Sequence, residues 1–245
     1  QWIQRLQQDL EDQGVPCVAQ GIPLAVGDTV LLRSVQNLVA VDVQTGKRRW
    51  ESPVAAPVDT ILAGQDQPIN LGQATVLQAR MAQRIWLDAT YSRLSSDGKL
   101  VFCIEEDSGW GAPTPGVAPQ MQILIIRQRM KEGRRSSPAN RLAAYDIRTG
   151  KLQWEVGGPE DQEYALPLAG TAFLGAPLPL MGQLYVLGET RNDVRLLVLE
   201  AQTGRLLWSQ QLGVVGQEGG PNFDMDGQPF TGRFLGLSPS YAEGI

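Results

Sequence analysis

The amino-acid sequence predicts an all-β fold: a β-propeller of four-stranded antiparallel blades, three of them present and a fourth begun, as part of a larger ring. Three observations predict it. The segment "DVQTGKRRW" (Asp42 to Trp50) returns as "DIRTGKLQW" (Asp146 to Trp154) and "EAQTGRLLW" (Glu200 to Trp208). An earlier turn precedes each copy, in "LAVGDTVLLR", "LSSDGKLVFC" and "PLMGQLYVLG", and each turn leads into alternating or continuous apolar residues. The two turns are 19 residues apart at Gly27 and Gly46 and 22 apart at Gly182 and Gly204, but 52 apart at Gly98 and Gly150. Two hairpins per unit give four short strands, and the middle unit carries an insertion.

Taken in order, residues 1–21 read as a helix and linker, with Trp2, Ile3, Leu6 and Leu10 forming a short apolar stripe. The first blade covers about 22–53. A long connection follows, in which Ala74 to Trp86 has the pattern of a short helix. The second blade covers 85–156 with its insertion at 107–139, where "GWGAPTPGVAP" is turn-rich, "KEGRRSSP" is polar, and "MQILIIRQR" reads as strand extending the hairpin. The third blade covers 170–212. Its most apolar stretch, Phe173 to Gly188, is broken by Pro177, Pro179 and Gly182 and reads as two strands rather than a membrane span. Residues 233–245 begin a further blade, because "LSPSYAEGI" aligns with "IPLAVGDTV" from Ile22. Such an unfinished ring leaves apolar blade faces to be covered by remaining blades, a protein partner or self-association.

The repeated turn has a local chemical logic. Asp42 and Asp146 can accept hydrogen bonds from amides two and three residues on, Thr45, Thr149 and Thr203 can close the same turn through their hydroxyls, and Gly46, Gly150 and Gly204 can take the positive φ that ends it. Glu200, with a longer side chain, should cap less well, leaving the third turn to threonine and glycine. Trp50, Trp154 and Trp208 fall four residues after the glycine, on the outermost strand. A blade cannot cover its own apolar faces, so a large amphipathic ring reaching into the neighbouring blade is a natural staple.

Composition narrows the chemistry. The chain has 42% hydrophobic and 19% charged residues and a net charge of -5, with a pI near 4.9, which describes a globular protein with no basic field for nucleic acid. The opening "QWIQRLQQDL" lacks the apolar core and cleavage site of a signal peptide. There is no histidine, which removes histidine-based triads and most catalytic zinc sites. Cys17 and Cys103 read as two separate buried thiols, with a long-range disulfide as the alternative.

Three stretches hold residue types that could bind something. In "NFDMDGQPFTGR", Asn222, Asp224, Asp226 and Gly227 occupy calcium-loop positions, but Arg233 stands where a bidentate glutamate belongs, so an interblade loop is expected and no metal site is assigned. "GVVGQEGG" from Gly213 lacks the strand-glycine-helix frame of a phosphate site and reads as a connection. Arg127, Arg129, Lys131, Arg134 and Arg135 make a basic cluster on the insertion, either a solvated hairpin tip or a docking site for an acidic partner.

"AVDVQTGKRRW" from Ala40 and "AYDIRTGKLQW" from Ala144 resemble the tryptophan-docking motif AxDxxTGxxxW of the quinoprotein-type (PQQ-like) propeller repeat family; "VLEAQTGRLLW" from Val198 departs from it at the alanine and the aspartate. The family includes pyrroloquinoline quinone dehydrogenases and a non-enzymatic BamB-like branch, usually with eight blades, and the resemblance implies that these blades belong to an eight-bladed propeller. The dehydrogenase branch implies a vicinal Cys-Cys pair, a calcium held by carboxylates and an amide, and an aspartate base; this chain has no Cys-Cys pair. The resemblance therefore implies a non-catalytic interaction or assembly scaffold without cofactor in a periplasmic or other extracytoplasmic setting. The alternative it leaves is part of a quinoprotein dehydrogenase whose catalytic residues lie in other blades.

Overall fold

The computed structural model of the chain describes residues 22–33, 37–53, 90, 93–105, 140–160, 164–191, 193–214 and 238–242. Among these, three antiparallel sheets follow one another along the chain. The first joins β1 (Leu24–Val26), β2 (Thr29–Arg33), β3 (Asn37–Asp42) and β4 (Arg48–Pro53) in chain order. The second joins β5 (Leu94–Ser96), β6 (Leu100–Glu105), β7 (Arg141–Asp146) and β8 (Leu152–Gly157) in the same way. The third contains β9 (Ala172–Phe173), β10 (Leu178–Leu180), β11 (Gln183–Thr190), β12 (Asp193–Glu200) and β13 (Leu206–Val214). Stacked four-stranded meanders of this kind are propeller blades, and the three sheets form a partial propeller.

The third blade differs from the expected plan at its inner edge. Instead of one strand before the turn it has two short ones, β9 and β10, both paired to β11. Proline explains the break: Pro177 has no amide to donate, so the strand stops after Phe173 and resumes at Leu178. The stretch from Phe173 to Gly188 thus contributes to three strands where two were expected.

Burial follows the side-chain period of two. In β2 the buried residues are Thr29, Leu31 and Arg33, which with Leu38 and Ala40 of β3 face the second blade. β6 is buried along its whole length because it has a neighbour on each side. Its Val101 and Cys103 pack toward the first blade with Ala143 and Tyr145, while Leu100, Phe102 and Ile104 pack toward Phe173, Leu184 and Val186 of the third. A continuous apolar run in the sequence is what a strand with two covered faces requires.

The three outer strands are unequal. β4 carries Arg48, Arg49 and Glu51, and β8 carries Glu155, whereas the nine residues of β13 include no charge. The expected helix over 1–21, the Ala74 to Trp86 helix and the 107–139 insertion lie outside the described residues. Of the expected further blade, residues 238–242 are described and form no strand.

Candidate functional site

Among the described residues, the chemistry that recurs is that of the repeated turns and the blade junctions they make. In the first turn Asp42 Oδ1 accepts from the Gln44 amide (3.1 Å), the Thr45 amide (2.8 Å) and the Thr45 hydroxyl (2.9 Å). Asp146 repeats this with the Arg148 amide (3.0 Å), the Thr149 amide (2.8 Å) and the Thr149 hydroxyl (2.9 Å). Glu200 takes the Thr203 hydroxyl (2.6 Å), while the amides of Thr203 (3.3 Å) and Gly204 (2.9 Å) close on its main-chain carbonyl. The extra methylene carries the carboxylate past the amides, so the third turn rests on backbone, threonine and glycine.

Each outer strand then carries a bulge one residue before its tryptophan. Ala40 pairs with Trp50 but Val41 with Arg48; Ala144 pairs with Trp154 but Tyr145 with Leu152; Val198 pairs with Trp208 but Leu199 with Leu206. A bulge re-aims the following side chain. Here it aims the indole across the junction. Trp50 lies on Gly150 of the second blade and its Nε1 donates to the Ile147 carbonyl (2.9 Å). Trp154 lies on Gly204 of the third blade and donates to the Ala201 carbonyl (3.1 Å). A Cβ on Gly150 would sit 2.6 Å from Trp50 Cδ2, and one on Gly204 2.5 Å from Trp154 Cε3, so these glycines serve close approach as well as positive φ.

The two ends of the series lack this partnership among the described residues. Trp208 is 46% exposed and meets Tyr185 of its own sheet edge-on, with ring centroids 6.4 Å apart. Gly46 has φ +66°, like the other two, but nothing lies within 4 Å of where a Cβ would be.

Electrostatics differ from blade to blade. The bulged Arg49 donates to Asp28 Oδ2 (2.6 Å) and to Asp42 Oδ2 (2.5 Å). That guanidinium, together with the Thr45 amide, holds the Asp42 carboxyl well below the usual range. Partial burial opposes ionisation of Asp146, but the Thr149 hydroxyl and amide prevail and lower it as well. The Thr203 hydroxyl, aided by Arg205, lowers Glu200.

At the opposite end of the first junction, sequence reasoning misses a buried cluster. Arg33 Nη2 donates to Glu105 Oε2 at 2.7 Å, with side chains 0% and 3% exposed. Glu105 Oε1 also accepts from the Tyr145 hydroxyl (3.2 Å) and the Cys103 thiol (3.5 Å). Burial pushes the Cys103 thiol up to about 12, and burial likewise raises Tyr145 far above its ordinary value. Cys103 is a free, buried thiol; Cys17 lies outside the described residues. So do the basic cluster of Arg127, Arg129, Lys131, Arg134 and Arg135 and the loop holding Asn222, Asp224, Asp226, Gly227 and Arg233. Among the described residues no helix is long and apolar enough to cross a membrane.

The three sheets are joined by a tryptophan from one blade lying on the glycine turn of the next. Residues 1–107 and 94–223 match the family described as outer membrane protein assembly factor BamB. The chain belongs to that PQQ-like repeat family. Beyond it, quinoprotein glucose dehydrogenase A of Acinetobacter calcoaceticus is 21% identical over 250 residues, covering 78% of this chain and 31% of that protein. BamB from Moraxella catarrhalis aligns with 13% identity and a TM-score of 0.35, over 78% of this chain and 51% of that one. The quinohemoprotein alcohol dehydrogenase from Comamonas testosteroni gives 14% and 0.42, over 79% and 21%. This BamB-family chain therefore spans about a third of the length of the sequence relative it matches.

The dehydrogenase branch implies a vicinal Cys-Cys pair beside its quinone and calcium. Cys17 and Cys103 make no vicinal pair, and among the described residues no three of His, Cys, Asp or Glu gather where they could hold a metal ion. The buried Glu105 is already committed to Arg33, Tyr145 and Cys103.

Proposed function

We propose that the protein is a non-catalytic propeller scaffold mediating protein-protein interaction or assembly in the cell envelope. The observation that carries this reading is the exposed joint at the third blade. Trp208, with Leu206, Leu212 and Val214 on the same strand, presents an apolar surface of the kind that marks an interaction site. Its two counterparts each engage a glycine turn, so the partner it suits is a further blade of the same repeat or a protein surface offering a similar turn. The blade-docking role given to the aspartate, threonine, glycine and tryptophan positions is part of this proposal, as is the extracytoplasmic setting, which family membership supports.

A second reading, part of a quinoprotein dehydrogenase, is favoured by the match to quinoprotein glucose dehydrogenase A. Titration of the full-length protein with pyrroloquinoline quinone and calcium, followed by calorimetry and by oxidation of alcohols and sugars, separates the two. No saturable quinone binding is expected. Tight binding with turnover would establish the second reading in place of the first.

A further inference from the structure

The tryptophan joint is the same at both observed junctions, and it therefore cannot tell one blade from another. Trp50 and Trp154 contact chemically equivalent turns, through the same glycine and a main-chain carbonyl. Nothing in this joint would stop Trp50 from docking on Gly204, or on a turn of another copy.

The far end of each junction does differ. Strand register makes the comparison direct, because Thr29 pairs with Asp42, Leu100 with Asp146 and Gln183 with Glu200. Counting from these pairs, Arg33 of the first blade corresponds to Ile104 of the second, and Glu105 of the second corresponds to Gly188 of the third. The first junction thus buries Arg33 against Glu105, and the second has Ile104 and Gly188 at the matching places. The second junction is latched nearby by Asn140, whose Nδ2 donates to the Phe173 carbonyl (2.9 Å) and whose Oδ1 accepts from the Phe173 amide (2.6 Å).

We propose that the Arg33–Glu105 pair is a pairing code that makes the first blade dock on the second and not on the third or on another copy. Docked on the third blade, Arg33 would lose Glu105 and lie opposite Gly188 instead. A second blade docked on its own duplicate would bury Glu105 against Ile104. A buried charge separated from its partner is strongly unfavourable, while a matched pair gains little over an apolar replacement, so such a pair acts through choice more than through stability.

The test is refolding of an equal mixture of isotopically heavy and light full-length chains, followed by cross-linking and mass spectrometry of blade-to-blade peptides. The decisive variant is Arg33→Met with Glu105→Gln, which removes both charges and keeps an acceptor for the Tyr145 hydroxyl. It should keep a cooperative unfolding transition near that of the wild type, while heavy-to-light and first-to-third-blade cross-links rise by about tenfold, the ratio set by ~1.4 kcal/mol of lost discrimination. Each single variant should unfold at lower denaturant concentration than the double variant. Arg33→Lys keeps the cation and should refold with the wild-type cross-link pattern. The proposal is overturned if the double variant gives that wild-type pattern, or if Arg33→Lys misdocks as often as the neutral pair. A double variant that does not fold also overturns it, since the pair would then carry stability rather than choice.

Discussion

Gly46 and Gly150 occupy the same place in the same turn, with φ +66° and +69°, yet only the second has an indole lying against it among the described residues. Alanine at Gly46 should therefore cost about 1–2 kcal/mol, the strain of a Cβ in left-handed conformation. At Gly150 the same change must also displace Trp50 and should cost about 2–5 kcal/mol in denaturant unfolding. Equal losses would mean that the indole does not bind there. Acid should loosen the turns themselves. Asp42, Asp146 and Glu200 all lie below their ordinary values in the folded protein. Their contribution is complete at neutral pH and is lost as pH falls from about 4 through the folded values. Unfolding free energy measured from pH 6 to pH 2 should fall less steeply in Asp42→Asn/Asp146→Asn than in the wild type. Cys103, pushed up to about 12 and buried, should resist a thiol reagent at pH 8 until the protein unfolds, as read from the mass of its peptide.

Between strands β6 and β7 the ladder runs to its last pair, Glu105 with Arg141, and deleting 107–139 leaves Glu106 and Asn140 as a two-residue hairpin loop. That deletion should leave unfolding cooperative and the protein soluble, because both strands are already fully paired. An insoluble product would assign "MQILIIRQR" to the core. The blades were legible in the sequence because their turns are built from residues a few positions apart: Asp42, Thr45 and Gly46 state the geometry locally. The break between β9 and β10 was less so, since Pro177 and Pro179 announce an interruption but not that both pieces return to β11. Arg33 and Glu105 were illegible for a different reason. They lie 72 residues apart, and each looks like an ordinary polar residue closing an apolar strand. Parity alone held the clue, since Arg33 shares a face with Thr29 and Leu31, but parity names no partner.

Considered whole, the described blades cover one another in series and the third still exposes Leu206, Trp208, Leu212 and Val214, so the 245-residue chain alone should associate as its concentration rises. Light scattering should show this, and Trp208→Lys should weaken it. A concentration-independent compact monomer that binds no apolar dye would refute the open-surface reading. The uncharged β13 gives that exposure a temporal side. Along β4, Arg48, Arg49 and Glu51 blunt the rim against stray strand pairing, and Glu155 does so on β8. Nine residues of β13 have no such gatekeeper, and they expose Leu206, Leu207, Trp208, Leu212 and Val214. During synthesis or refolding, a strand so exposed and free of charge should serve as a template on which a second molecule can grow sheet. Survival of the newborn protein then becomes a race, in which recovery depends on crowding and on the speed with which the edge is hidden.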